Sequence, residues 1–239
     1  MSIGTFFHHI GTFLLLAASA LLIVPDVTAP SVHHLSLFRT TSKYISTSIL
    51  SYASGNPVID FGSFGYCVRI IPEPGSPRLP APDICYNDGV GYSPADAING
   101  VFRLTRSRRI STDVGRAAAR LTKTFVLIPL ATAAAFIAAL LALLSSLRPS
   151  RWASVLAVGV STLTFCLALV GFICAMVAVA AVRAGLRDGG TSLRAYYGVG
   201  MWALLAAMIC FLLGSGLVFF TCCSGRRHRS RDAHFAKTG

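Results

Sequence analysis

Cysteines are the residues of this 239-residue chain best suited to forming covalent bonds. Five of the seven lie in or beside long apolar runs, where a thiol usually serves as a small packing residue; these are Cys166, Cys174, Cys210, Cys222 and Cys223. Only Cys67 and Cys85 share a more polar segment. An isolated pair in an exported segment predicts one disulfide bond, which would stabilise the fold by about 3 kcal/mol. The alternative is two unrelated thiols in a cytosolic loop.

No catalytic or cofactor-binding pattern accompanies these cysteines. The six histidines form two adjacent pairs and two tail positions, without the spacing of a metal site. His33 and His34 could bind a metal, but exposed loop histidines are the preferred interpretation. The segment Gly89–Tyr92 is too short for a phosphate-binding loop. We therefore expect neither enzymatic activity nor a cofactor.

The composition indicates which elements must position the cysteine pair. Hydrophobic residues make up 54% of the chain and charged residues 13%, with a mean hydropathy of +0.66, whereas soluble domains carry about 25% charged residues. The net charge of +12 is interrupted by long apolar runs and does not predict a nucleic-acid-binding face. These values exclude an ordinary soluble enzyme and predict a multi-spanning membrane protein.

Four apolar runs are long enough to cross a bilayer as helices. In chain order we expect a first transmembrane helix (1–24), an extracellular loop domain (25–124), a second helix (125–147), a short cytoplasmic loop (148–151), a third helix (152–182), a second extracellular loop (183–195), a fourth helix (196–222) and a basic cytoplasmic tail (223–239). A cleaved signal peptide is the alternative for the first run. The third run would reach roughly 46 Å at about 1.5 Å per residue, so its end should project and pack against the loop domain.

Orientation is not settled by the positive-inside rule. With both termini in the cytoplasm, seven basic residues lie inside and fourteen outside. The short loop 148–151, the basic tail and the predicted disulfide favour this orientation nevertheless. We expect both termini to lie in the cytoplasm.

The large loop contains signals for a small β-containing domain. Val58–Phe61 and Phe64–Ile70 are rich in β-branched and aromatic residues. Five prolines between the two cysteines predict a surface excursion that is neither helix nor central strand. Ser93 and Pro94 are typical of a helix N-cap and first turn. The predicted fold is a membrane all-α four-helix transmembrane bundle with a small, disulfide-bearing, β-containing extracellular domain. With its large loop between the first and second spans, this arrangement resembles that of the claudins.

The predicted spans lack charged residues from 125 to 147, 152 to 182 and 196 to 222, which disfavours transport. Small residues recur at four-residue spacing and permit close helix contacts; they are Ala131, Ala135, Ala139, Ala203 and Ala207, with Gly214 further along. Contacts inside the bundle are preferred over a dimer face, although oligomers stay open. After the fourth span, Cys222 and Cys223 are expected to be S-acylated. The following Arg226, Arg227, Arg229 and Arg231 should contact inner-leaflet lipid, or alternatively only fix the orientation.

The loop and the start of the second span contain a further set of motif residues. They are Phe61, Gly62, Phe64, Gly65, Tyr66, Gly91, Tyr92, Leu121, Thr122, Lys123 and Pro129. These motifs resemble those of the fungal PalI family and its eisosome-associated Sur relatives. The resemblance covers about residues 5–223 and is most specific in the aromatic-glycine stretch before Cys67 and in the Leu-Thr-Lys entry to the second span. Two departures are a short tail after Cys223 and Ile128 where a histidine is common.

This resemblance implies a non-enzymatic plasma-membrane tetraspan that organises cortical membrane domains, including division sites, or assists membrane partners. The alternative it implies is an accessory component of ambient-pH sensing; a transporter or channel subunit is a third, disfavoured function. The implied partners are the lipid bilayer and other membrane proteins contacted laterally, such as a multi-spanning pH sensor or eisosome components.

Overall fold

The computed structural model describes residues 3–32, 34–41, 55–72, 82–102, 110–147, 151–190 and 193–235, with only the helical backbone described over 222–235. The prolines of 73–81, the loop 148–150 and His33 lie outside the described residues. The same holds for the side chains expected to be acylated or to contact lipid, Cys222, Cys223, Arg226, Arg227, Arg229 and Arg231.

The described chain alternates long apolar helices with short strands. In order, the elements are α1 (Ile3–Asp26), β1 (Phe38–Thr41), β2 (Gly55–Phe61), β3 (Tyr66–Pro72), β4 (Ile84–Tyr86), α2 (Pro94–Val101), α3 (Thr112–Lys123), a 3₁₀ turn (Thr124–Val126), α4 (Leu127–Leu147), α5 (Arg151–Asp188), β5 (Arg194–Tyr197) and α6 (Val199–Phe235). Four helical stretches are long and apolar enough to cross a membrane. The four-span fold is thus confirmed, and Ser93 caps α2 with Pro94 in its first turn, as predicted.

The fourth apolar run begins as a strand, although its hydropathy predicts a helix. Tyr196 and Tyr197, assigned above to the fourth span, belong to β5, and the helix starts at Val199. Tyr197 lies opposite Phe38 in an antiparallel pair of β5 with β1. Mean hydropathy does not distinguish a half-exposed strand that contains tyrosines from a membrane span, because it ignores the alternation of side chains between the two faces of a strand.

One compact unit comprises residues 1–23, 129–169 and 205–239. Several of its small residues are buried, including Ala131, Ala135 and Ala207, and a Cβ on Gly214 would lie 3.1 Å from the carbonyl oxygen of Gly11. The prediction that small residues make contacts inside the bundle is confirmed for these positions. Large apolar side chains on the same helices, such as Leu140, are exposed in the protein alone.

The other unit comprises residues 24–128 and 170–204. Its antiparallel sheet has the strand order β4-β3-β2-β1-β5. Phe38, Ile59 and Phe61 are buried in a cluster with Ile98 of α2 and Val182 of α5, because alternate side chains of a strand share a face. The C-terminal end of α5 therefore packs against the loop domain, as its surplus length predicts.

Candidate functional site

The sheet has two faces with different chemistry. We call the side that carries Phe38, Ile59, Phe61, Tyr66 and Val68 the core face. The opposite side carries Arg39, Asp60, Cys67, Arg69 and Cys85, and we call it the disulfide face. The motif residues Phe61 and Tyr66 lie on the core face, whereas the disulfide bond and the ion pairs lie on the disulfide face.

Cys67 and Cys85 are bonded to each other across neighbouring strands, with an S–S distance of 2.06 Å. The register of β3 with β4 places the two residues directly opposite. The predicted disulfide is therefore present, and it joins the short edge strand β4 to the sheet. Cys166, Cys174 and Cys210 are free.

Asp60 is the fully buried carboxylate of the disulfide face. Arg39 of β1 lies opposite Asp60 in the sheet and donates from Nε to Oδ1 at 2.6 Å. Arg69 of β3 donates from Nη2 to Oδ2 at 2.8 Å. Both carboxylate oxygens thus have charge-assisted hydrogen bonds, which offset the loss of hydration on burial. Arg69 Nη1 also donates to Nδ1 of His34 at 2.7 Å.

The contact between His34 and Arg69 disfavours the binding of a metal ion by His34. A histidine nitrogen that accepts from a guanidinium has its lone pair in use, and the neighbouring positive charge opposes a cation. Within the parts of the chain that the structure describes, no three ligand side chains come together as a metal site would require.

Two motif glycines form the turn between β2 and β3. The amide of Gly62 donates to the carbonyl of Gly65 at 2.9 Å. A Cβ at Gly62 would collide with the backbone of Ala29, and one at Gly65 with the carbonyl oxygen of Tyr86. Close backbone approach, rather than an unusual φ, requires glycine at both positions.

Tyr92 links three parts of the unit. Its hydroxyl donates to the carbonyl oxygen of Gly62 at 2.7 Å, its own carbonyl accepts from Oγ1 of Thr122 at 2.7 Å, and its ring stacks on Phe61 with centroids 6.3 Å apart. Burial, followed by the charge of Asp88 and then Tyr66, raises the pKa of the Tyr92 phenol. Since the phenol stays protonated, it remains a hydrogen-bond donor to Gly62.

Some of the remaining motif residues lie beside Tyr92. Gly91 has a φ of +87°, and a Cβ there would lie 2.6 Å from Cγ of Lys123, so the lysine stem packs along the glycine. The carbonyl of Phe64 accepts from Gly89 at 3.0 Å. Leu121 is half-buried in α3, and Pro129 lies in the first turn of α4.

A cleft of about 490 Å³ opens beside Tyr92. Its lining residues include three tyrosines, Tyr66, Tyr86 and the buried Tyr92, and two aspartates, Asp88 and Asp96. The rings of Tyr66 and Tyr86 stack with centroids 5.0 Å apart. Burial, with smaller contributions from the charge of Asp88 and from Tyr86, raises the pKa of Tyr66 to about 12.

Sequence reasoning missed this cleft and the Asp60 pairs. The signal for Asp60 was a charged residue inside the apolar strand Val58–Phe61, which requires a partner if the strand is buried. The cleft had a weaker signal, because its aromatic and acidic residues come from two strands, a loop and α2.

Comparison with known proteins agrees with this architecture. No curated protein matches the chain. The model of the SUR7/PalI family matches residues 5–214, a range that includes the first three spans, the sheet, the motif residues around Tyr92 and most of the fourth span, which runs to Thr221. This chain is a member of the SUR7/PalI family, and it is a multi-pass membrane protein.

Proposed function

We propose that this protein is a non-enzymatic tetraspan of the fungal plasma membrane that organises cortical membrane domains by binding membrane partners laterally. The loop domain faces the cell exterior in this proposal, and both termini are cytoplasmic. The observation that carries it is the use of the motif residues as structural ties: Gly62, Tyr92 and Thr122 hold the sheet to the helix that leads into α4.

The groups best suited to chemistry have structural partners. Cys67 is in a disulfide, Asp60 is neutralised by two arginines, and the Tyr92 hydroxyl donates to a main-chain carbonyl. Such a domain provides a fixed surface for binding a partner. The exposed apolar side chains of those helices supply the lateral contact with lipid and with other spans.

The test compares two glycine substitutions in living cells. Gly62→Ala should collide with the Ala29 backbone, whereas Gly100→Ala in α2 adds a Cβ with nothing within 4 Å. Surface labelling with an impermeant reagent measures how much of each variant reaches the plasma membrane, and imaging measures its lateral distribution. We expect stable patches for the wild type and Gly100→Ala, and loss of surface patches for Gly62→Ala.

A uniform surface distribution of the wild type would contradict the proposal. Loss of growth at alkaline pH on deletion, together with crosslinking to a seven-span sensor, would instead favour the accessory role in pH signalling. A conductance in reconstituted bilayers that requires the protein would favour a channel subunit.

The tail carries a second, separable part of the proposal. S-acylation of Cys222 and Cys223, with contact of Arg226 and Arg227 to anionic lipid, would affect sorting rather than attachment, because α6 already anchors the chain. Replacing both cysteines with serine should abolish acyl exchange and alter the patches. No acyl label on the wild-type protein would remove this part.

A further inference from the structure

The cleft beside Tyr92 combines aromatic rings with negative charge. Three tyrosines and two of the chain's nine acidic residues, Asp88 and Asp96, line it. In a protein with a net charge of +12, this is a local reversal of sign. Its volume of about 490 Å³ falls within the range of small-molecule sites, about 300 to 1,000 Å³.

The two carboxylates of the cleft differ from other acidic residues of the same unit. Asp60 is paired with Arg39 and Arg69, and Asp113 with Arg116 at 2.7 Å. Among the residues that the structure describes, no cation pairs with Asp88 or Asp96. Both side chains are exposed at the cleft.

Tyrosine rings attract cations through the negative potential of their faces. The unit already contains one example, because the guanidinium carbon of Arg183 lies 4.3 Å from the ring centroid of Tyr197. Tyr66 and Tyr86, whose rings stack on each other, line the cleft together with Asp88 and Asp96. Aromatic rings beside negative charge are the usual recognition elements for quaternary ammonium groups.

We propose that the cleft lined by Tyr66, Tyr86, Tyr92, Asp88 and Asp96 binds a quaternary ammonium group, the cation that free choline and the choline headgroup of a membrane phospholipid share. The trimethylammonium group carries a positive charge without N–H donors, so ring faces and nearby carboxylates attract it without directed hydrogen bonds. The site is independent of the lateral-partner role proposed above, and either can fail alone.

The first test uses the full chain, purified in a maltoside detergent that lacks choline. Calorimetric titration with choline should show saturable binding, and the neutral analogue with carbon in place of nitrogen should not bind. Replacing both carboxylates, Asp88→Asn with Asp96→Asn, should weaken binding roughly tenfold or more. The matched control Asp113→Asn removes an exposed carboxylate outside the cleft and should leave the affinity unchanged.

The second test identifies the source of the cation. We expect spin-labelled phosphatidylcholine in vesicles to show an immobilised fraction that the double variant loses, with no such fraction for phosphatidylglycerol. Binding of free choline without a phosphatidylcholine fraction would overturn the lipid source. A Tyr86→Leu variant provides an independent perturbation and should also weaken binding.

Three outcomes would overturn the site itself. They are no saturation by choline in protein that retains its disulfide and cooperative unfolding, equal binding of the neutral analogue, and unchanged affinity in both the Asp88→Asn/Asp96→Asn and Tyr86→Leu variants.

Discussion

The two faces of one sheet are stabilised in different ways. On the core face, Phe38 and Phe61 stack with ring centroids 4.5 Å apart inside an apolar cluster. On the disulfide face, a covalent bond between Cys67 and Cys85 and the ion pairs of Asp60 take the place of that cluster. Burial stabilises one side without specifying partners, whereas the other side depends on particular pairs of groups.

This difference changes how each face responds to substitution. Apolar packing is lost in proportion to the volume removed, while a buried charge is destabilising as soon as its partner is absent. The predictions below remove one element of each kind, and together they measure how the stability of the sheet divides between its faces.

The largest effect is expected on the core face. Phe61 is fully buried and contacts the rings of Phe38, Tyr66 and Tyr92, so Phe61→Ala should lower the free energy of unfolding by about 4 kcal/mol through lost burial and a cavity. Ile71→Ala is the control, because Ile71 is 46% exposed on the disulfide face. Chemical unfolding in detergent would measure both; similar losses would contradict the contrast between the faces.

The disulfide should rank second. Replacing Cys67 and Cys85 together by alanine removes the cross-link, and loop-closure entropy predicts a loss of about 3 kcal/mol. The same loss should follow reduction of the wild-type protein, and the alanine variant should not respond to reductant. A reductant response in the double variant would show that another bond is involved.

Features local in sequence were predictable, and those that join distant segments were not. Hydropathy gave the four spans, and the isolation of Cys67 and Cys85 gave their pairing. β5 was missed because its partner β1 lies more than 150 residues earlier, and a four-residue strand has no periodic signal of its own. The motif around Gly62 and Tyr92 was recognisable as residues, but their contacts follow only from the fold.

A smaller effect is expected from the ion pairs. Asp60→Asn leaves Arg39 and Arg69 without their carboxylate, but these side chains are 36% and 20% exposed and regain some hydration. We expect a loss of about 2 kcal/mol, below the 3 to 5 kcal/mol of a fully buried pair. Asp113→Asn, from an exposed pair, should change stability by less than about 1 kcal/mol. An equal effect of both variants would show that burial of Asp60 has no energetic consequence.

The smallest effect lies at alkaline pH and concerns the edge of the core face. The pKa of Tyr66 is raised from 10.0 to about 12, chiefly by burial, so the folded state retains a proton that the unfolded chain releases. The corresponding stabilisation is present below pH 10 and is lost as the pH rises through about 12. Tyr66→Phe has no proton to lose and should show a shallower fall in stability over this range. Measuring the free energy of unfolding between about pH 9 and about pH 12, at constant protein and salt concentration, tests the sign of this effect. An unchanged slope of stability against pH in Tyr66→Phe would show that the Tyr66 phenol ionises in the folded protein as it does in the unfolded chain.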